Sequence, residues 1–120
     1  MTQKLGPNQL ALVEALEGGE YKQGVEYLCG DGSFCCLGVA ANLRGKTSRA
    51  MGGKADLHDF PDVVEAYGFH WEDGYFPSRP AEEPVAEFPD LATANDEGCT
   101  FKQIAAFMRR HPECVFKEAR

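Results

Sequence analysis

Glycine and proline interrupt this chain so often that no long helix or strand can form: thirteen glycines and seven prolines fall within 120 residues. Proline lacks the amide hydrogen that a helix or sheet interior needs, and glycine loses the most backbone entropy on ordering. Only short elements fit between such breaks, joined by long irregular stretches. A hydrophobic fraction of 43% against 26% charged residues still marks a chain that folds. The predicted architecture is a single domain over residues 1–120. It is α+β and mainly helical, with four or five short helices, a small β-hairpin and long irregular loops.

Five helices are legible. Pro7–Glu17 carries Leu10, Val13 and Leu16 at helical spacing, opens on a proline and stops at Gly18-Gly19. Cys35–Arg44 runs through Leu37, Val39, Ala40, Ala41 and Leu43, with Ser33 as its predicted cap and Gly45 as its end. Pro61–Tyr67 is closed by Gly68, and Pro89–Asn95 follows. The last helix opens on Thr100, which makes a capping box with Gln103. Phe101, Ile104, Ala105 and Met108 then share one face, and Arg109, Arg110 and His111 supply positive charge at the end, before Pro112. Val25–Cys29 and Phe34 predict a hairpin around Gly30-Asp31-Gly32-Ser33. Gly45–Phe60 shows no periodicity and reads as a mobile loop. Phe69–Phe88 reads as irregular chain with room for a small hairpin, pinned by Trp71, Tyr75 and Phe76; these are expected in the core, and the alternative is a partner-binding cluster.

The net charge of −7 argues against direct nucleic-acid binding, which needs a surplus of Lys and Arg to neutralise phosphates. An acidic surface suits a basic protein partner. No stretch reaches the roughly 18 apolar residues of a membrane span. Met1–Gly6 lacks the apolar core of a signal peptide. The expected setting is therefore cytoplasmic, with no membrane partner and with five reduced cysteines. No metal or cofactor is expected, because structural zinc sites pair ligands two to four residues apart. Cys29 and Cys35 are too far apart for that, and Cys35-Cys36 are too close. His111 and Cys114 are suitably spaced but lack a second pair.

Three groups of residues are candidates for chemistry. A cysteine at a helix start gains from the helix dipole, so Cys35 or Cys36 is a candidate nucleophile, with His58, His70 or His111 as its base. The plainer reading is two small buried hydrophobes. Tyr21, Lys22 and Gln23 combine an aromatic face, a cation and an amide, which can hold a small anionic or nucleotide ligand. Asn95, Asp96 and Thr100 precede the free N–H groups of the last helix, an anion-binding arrangement, although Asn and Asp also make ordinary connectors.

Three segments in series resemble small uncharacterised phage and prophage proteins. They are Gly19-Glu20-Tyr21-Lys22-Gln23-Gly24, then Gly32-Ser33-Phe34-Cys35-Cys36-Leu37-Gly38-Val39, then Asn95-Asp96-Glu97-Gly98-Cys99-Thr100-Phe101 with Ile104-Ala105. Proteins of this type often carry a Cys-Asp where this chain has Ala40, Ala41 and Asn42. The resemblance implies a phage setting and, if so, the host cytoplasm. It supports the expectation of a non-enzymatic accessory protein that binds a host or defence-system protein, or sequesters a small signalling nucleotide. Two alternatives stand beside it. One is a cysteine-dependent hydrolase. The other is an acidic DNA mimic presenting Asp59, Asp62, Glu65, Glu72 and Asp73 in a row. A homodimer is the default assembly for so small a binder.

Overall fold

The computed structural model of the protein describes residues 3–120, so the first two residues of the Met1–Gly6 segment lie outside the described residues. The described residues form an α+β fold of mainly helical character. Its helices are α1 (Pro7–Glu17), α2 (Cys36–Leu43), α3 (Ser48–Met51), α4 (Pro61–Tyr67), α5 (Leu91–Asp96), α6 (Phe101–Arg110) and α7 (Pro112–Val115). A two-stranded antiparallel sheet pairs β1 (Cys29–Gly30) with β2 (Ser33–Phe34), and one 3-10 turn spans Val85–Glu87. Among the described residues no helix is long and apolar enough to cross a membrane.

The expected helices are present, and two four-residue helices, α3 and α7, add to them. A single turn is too short to show a periodicity, which is why the sequence hides both. Thr47 caps α3 by accepting the Ala50 N–H at 3.1 Å. The Gly45–Phe60 stretch is thus partly helical, and Met51 and Leu57 anchor it, each with no exposed surface. The hairpin turn is the expected one, with Asp31 and Gly32 at φ 52° and 79°. Both central residues at positive φ give the turn whose twist matches its strands. The strands are shorter than expected, because Val25 to Leu28 bends away from the ladder.

One continuous core joins α1, α2, α4, α5, α6 and the C-terminal segment. α1 packs on α6 and α2, and Arg109 of α6 grips Glu17 of α1 through two bonds of 2.6 and 2.8 Å. The face that α1 buries is Gln9, Leu12, Val13 and Leu16, while Leu10 lies partly exposed. Gln9 is fully buried because three backbone groups meet it there. Its oxygen accepts from Gly6 N at 2.8 Å, and its amide donates to Tyr67 O and Glu118 O, each at 2.7 Å. The C-terminal segment thereby seals the start of α1, where Arg120 O accepts from Asn8 N at 2.9 Å.

The aromatics of the 70s divide. Phe76 enters the core against Phe107, with ring centroids 5.3 Å apart. Trp71 and Tyr75, expected beside it, are instead 60% and 47% exposed. The small hairpin for which this stretch had room does not form among the described residues. Isolated bridges hold it instead, Tyr75 to Asp90 and Phe69 to Phe116.

Candidate functional site

The two polar segments singled out in the sequence come together at one corner, and they do so by bonding to each other. Tyr21, Lys22 and Gln23 run beside Phe34, where Gly24 N donates to Phe34 O and Phe34 N donates to Lys22 O, both at 2.8 Å. This alignment aims the Gln23 side chain at the α5–α6 junction. Its amide nitrogen donates to Asn95 Oδ1 at 2.9 Å and to Cys99 O at 2.8 Å, and its oxygen accepts from Phe101 N at 3.1 Å. Asn95 is 1% exposed. Its Oδ1 also accepts from Cys36 N at 3.2 Å, and its Nδ2 donates to Gly24 O at 2.8 Å. Asp96 accepts from Glu26 N at 2.8 Å and so ties down the neighbouring loop.

The other members of the two segments point elsewhere. The Tyr21 hydroxyl donates to Asn42 Oδ1 at 2.7 Å, and its ring meets Phe34 edge-on at 5.1 Å. Lys22 lies exposed. Thr100 makes its capping box, accepting from Gln103 N at 3.1 Å while its own N–H donates to Gln103 Oε1 at 2.8 Å. At the start of α6 the N–H groups of Thr100, Phe101 and Gln103 are therefore taken, by Gln103, Gln23 and Thr100 in turn. Chemically, this corner is a closed amide network that stitches three segments together.

Cys35 and Cys36 sit behind the same network, 2% and 1% exposed. Cys35, not Ser33, is the N-cap of α2, and Ser33 bonds back into the hairpin turn at Gly30 O, 2.7 Å away. The dipole argument for a reactive thiolate fails here on magnitude. Burial pushes the Cys35 thiol up to about 11, overriding the favourable N–H groups of Gly38 and Leu37, and Asp96 adds to the rise. Cys36 is held well above the ordinary thiol range, again by burial first. Its Sγ faces Leu91 O at 3.7 Å. No imidazole bonds to either sulfur among the described residues. His58 bonds to Glu72 at 3.1 Å and His111 to Glu83 at 3.2 Å. His70 has a buried Nε2 without a partner, and burial lowers its pKa. A disulfide reagent at neutral pH is expected to label Cys35 and Cys36 at least about a hundredfold more slowly in the folded chain than in urea. Labelling at the rate of a free thiol would refute interior packing of the pair.

The fold assembles two further surfaces around residues already singled out in the sequence. Trp71 stands beside a cleft of about 260 Å³ lined by Leu57, Pro61 and Val64, with His58, Glu65 and Glu72 at its rim. At the α6–α7 corner, donor atoms of His111, Glu113 and Cys114 lie within 4.8 Å of one another. The carboxylates considered as a DNA-like row are mostly matched by cations. Asp59 pairs with Lys54 at 2.6 Å, Asp62 with Lys46 at 2.7 Å, Glu65 with Arg120 at 3.0 Å and Glu72 with His58 at 3.1 Å. Asp73 turns one oxygen inward, where burial and then Asp90 raise its pKa. The row is not an uncompensated acidic stripe.

Residues 9–60 of the chain are similar to the family described as a domain of unknown function, DUF8296. The similarity covers α1, the hairpin, α2 and α3, and ends before α4. No curated protein and no solved structure matches the chain.

Proposed function

We propose that this chain is a non-enzymatic phage accessory protein that acts in the host cytoplasm by binding a host or defence-system protein through the surface around Trp71. The single observation that carries the reading is the 60% exposure of Trp71, the chain's one tryptophan, beside an apolar cleft. Exposing an indole to water is unfavourable, and such anchors dominate binding energies at protein interfaces. The chain's net charge of −7 fits a basic partner segment. A Lys or Arg from that partner stacks favourably on an indole face.

The closed network at Gln23 and Asn95 favours the protein-binding form of this proposal over nucleotide sequestration. A nucleotide needs free donors, and those of Gln23, Asn95, Phe101 and Gln103 are already bonded within the chain.

The test is capture from host lysate with the full chain, with the retained protein identified and its affinity then measured. Trp71→Ala is expected to weaken that binding by about tenfold to thirtyfold while leaving the melting temperature within about a degree of the parent. A partner whose affinity is indifferent to Trp71 would remove this surface from the function. Thermal stabilisation by a nucleotide, with no protein captured, would replace the reading with sequestration.

A further inference from the structure

We propose that His111, Glu113 and Cys114 form a binding site for a divalent transition-metal ion of the zinc type. The chain turns sharply here. His111 is the single residue between α6 and α7, and Pro112 opens α7 directly after it. One helical turn then carries Cys114 back over His111, with Cys114 N donating to His111 O at 3.0 Å. His111 Nδ1 is 3.8 Å from Glu113 Oε1, and all three donor atoms fall within 4.8 Å of one another. Zinc bonds of about 2.0 Å to nitrogen or oxygen and about 2.3 Å to sulfur put tetrahedral ligand pairs roughly 3.3–3.8 Å apart. The widest pair must close by about 1 Å, which side-chain rotation on one turn supplies.

The surroundings prepare the imidazole for this role. Glu83 Oε1 faces His111 Nε2 at 3.2 Å, and Arg110 holds the Glu83 carboxylate with bonds of 3.0 and 2.8 Å. A carboxylate that accepts Nε2–H leaves the lone pair on Nδ1, the atom that faces Glu113, and strengthens it as a ligand. The Phe107 ring, 5.5 Å away, fixes the imidazole plane. Ser78 Oγ lies 3.5 Å from Cys114 Sγ, placed to donate to a thiolate. One sulfur, one nitrogen and one carboxylate oxygen suit zinc or cobalt rather than calcium or magnesium. On binding, the Cys114 S–H bond breaks, its proton passes to solvent, and a sulfur–metal bond forms. The thiolate and the Glu113 carboxylate together balance the dication, and the fourth position stays open to water.

The probe is Co²⁺ alone, titrated into the full chain after chelator treatment and followed by absorption. The expected result is one equivalent bound, with visible bands of tetrahedral intensity and a thiolate-to-cobalt charge-transfer band, all displaced by Zn²⁺. Glu113→Gln, at an exposed position, is expected to weaken binding at least tenfold. Glu83→Gln is expected to weaken it about tenfold to a hundredfold through His111. Cys114→Ser is expected to abolish the charge-transfer band, with circular dichroism confirming that the variant is folded. If that variant does not fold, Glu113→Gln and His111→Gln decide the matter. Absence of the band in the parent, its survival in folded Cys114→Ser, or unchanged affinity in Glu113→Gln overturns the proposal.

Discussion

Gly38→Ala is expected to destabilise the protein by about 3 kcal/mol or more, read as a fall in the urea midpoint at unchanged slope. In an ordinary helix interior the same change stabilises by roughly 0.5–1 kcal/mol, because alanine loses less backbone entropy than glycine. Here the sign reverses. A Cβ on Gly38 would lie 2.7 Å from Leu28 C and 3.1 Å from Leu28 Cα, and closer still to the Leu28 carbonyl oxygen. Those atoms are backbone and cannot swing aside. The same carbonyl accepts from Cys35 N at 3.3 Å, while Leu28 N is bonded to Lys54 O at 2.7 Å. Relief therefore means parting α2 from the segment that leads into β1. Gly30→Ala is the control. Nothing lies within 4 Å of the added methyl there, and its effect should stay within about 0.5 kcal/mol. A Gly38→Ala protein as stable as the parent would show that α2 does not lie against Leu28 in this way.

The second large effect is expected at Asn95. Truncation to alanine removes the acceptor for Cys36 N and Gln23 Nε2 and the donor to Gly24 O. Each buried polar group left without a partner costs about 1–3 kcal/mol, so a total loss of about 3 kcal/mol is expected once some water enters. Gln23→Ala frees part of the same set. The two losses should therefore fall short of additivity by about 0.5–3 kcal/mol in a double-mutant cycle. Asn95→Asp separates the two halves of the amide. It keeps the acceptor but sets a carboxylate against Gly24 O and beside Asp96, which favours the protonated form in the folded state. A carboxyl whose folded pKa is raised binds protons more readily folded than unfolded, so this variant's deficit should shrink as pH falls. Additive losses, or a deficit that grows on acidification, would mean that Asn95 is not the centre of the network.

The outcomes at particular residues mark how far a sequence can be read. The Thr100–Gln103 capping box, the Asp31-Gly32 turn and the stop after Glu17 were legible because each depends on residues within a few positions of one another. The burial of Cys35 and Cys36 was legible from residue type. Gln9 was not, since an amide on a helix reads as exposed until Tyr67 O and Glu118 O are brought to it. Trp71 and Phe76 carry the same expectation in sequence, yet only Phe76 finds Phe107. Gln23 and Asn95 were both identified as polar residues of interest, but their spacing says nothing of the bonds between them. Glu83 gave no sign of its relation to His111.

By itself the sequence determined the class of fold and the places where helices begin and end, because caps, glycines, prolines and apolar spacing act over one or two turns. Only the tertiary structure decided which polar side chains turn inward and which aromatics stay outside. Burying a polar group costs free energy unless donors and acceptors meet it. Those partners come from chain segments whose arrival at the same point depends on packing of the whole molecule.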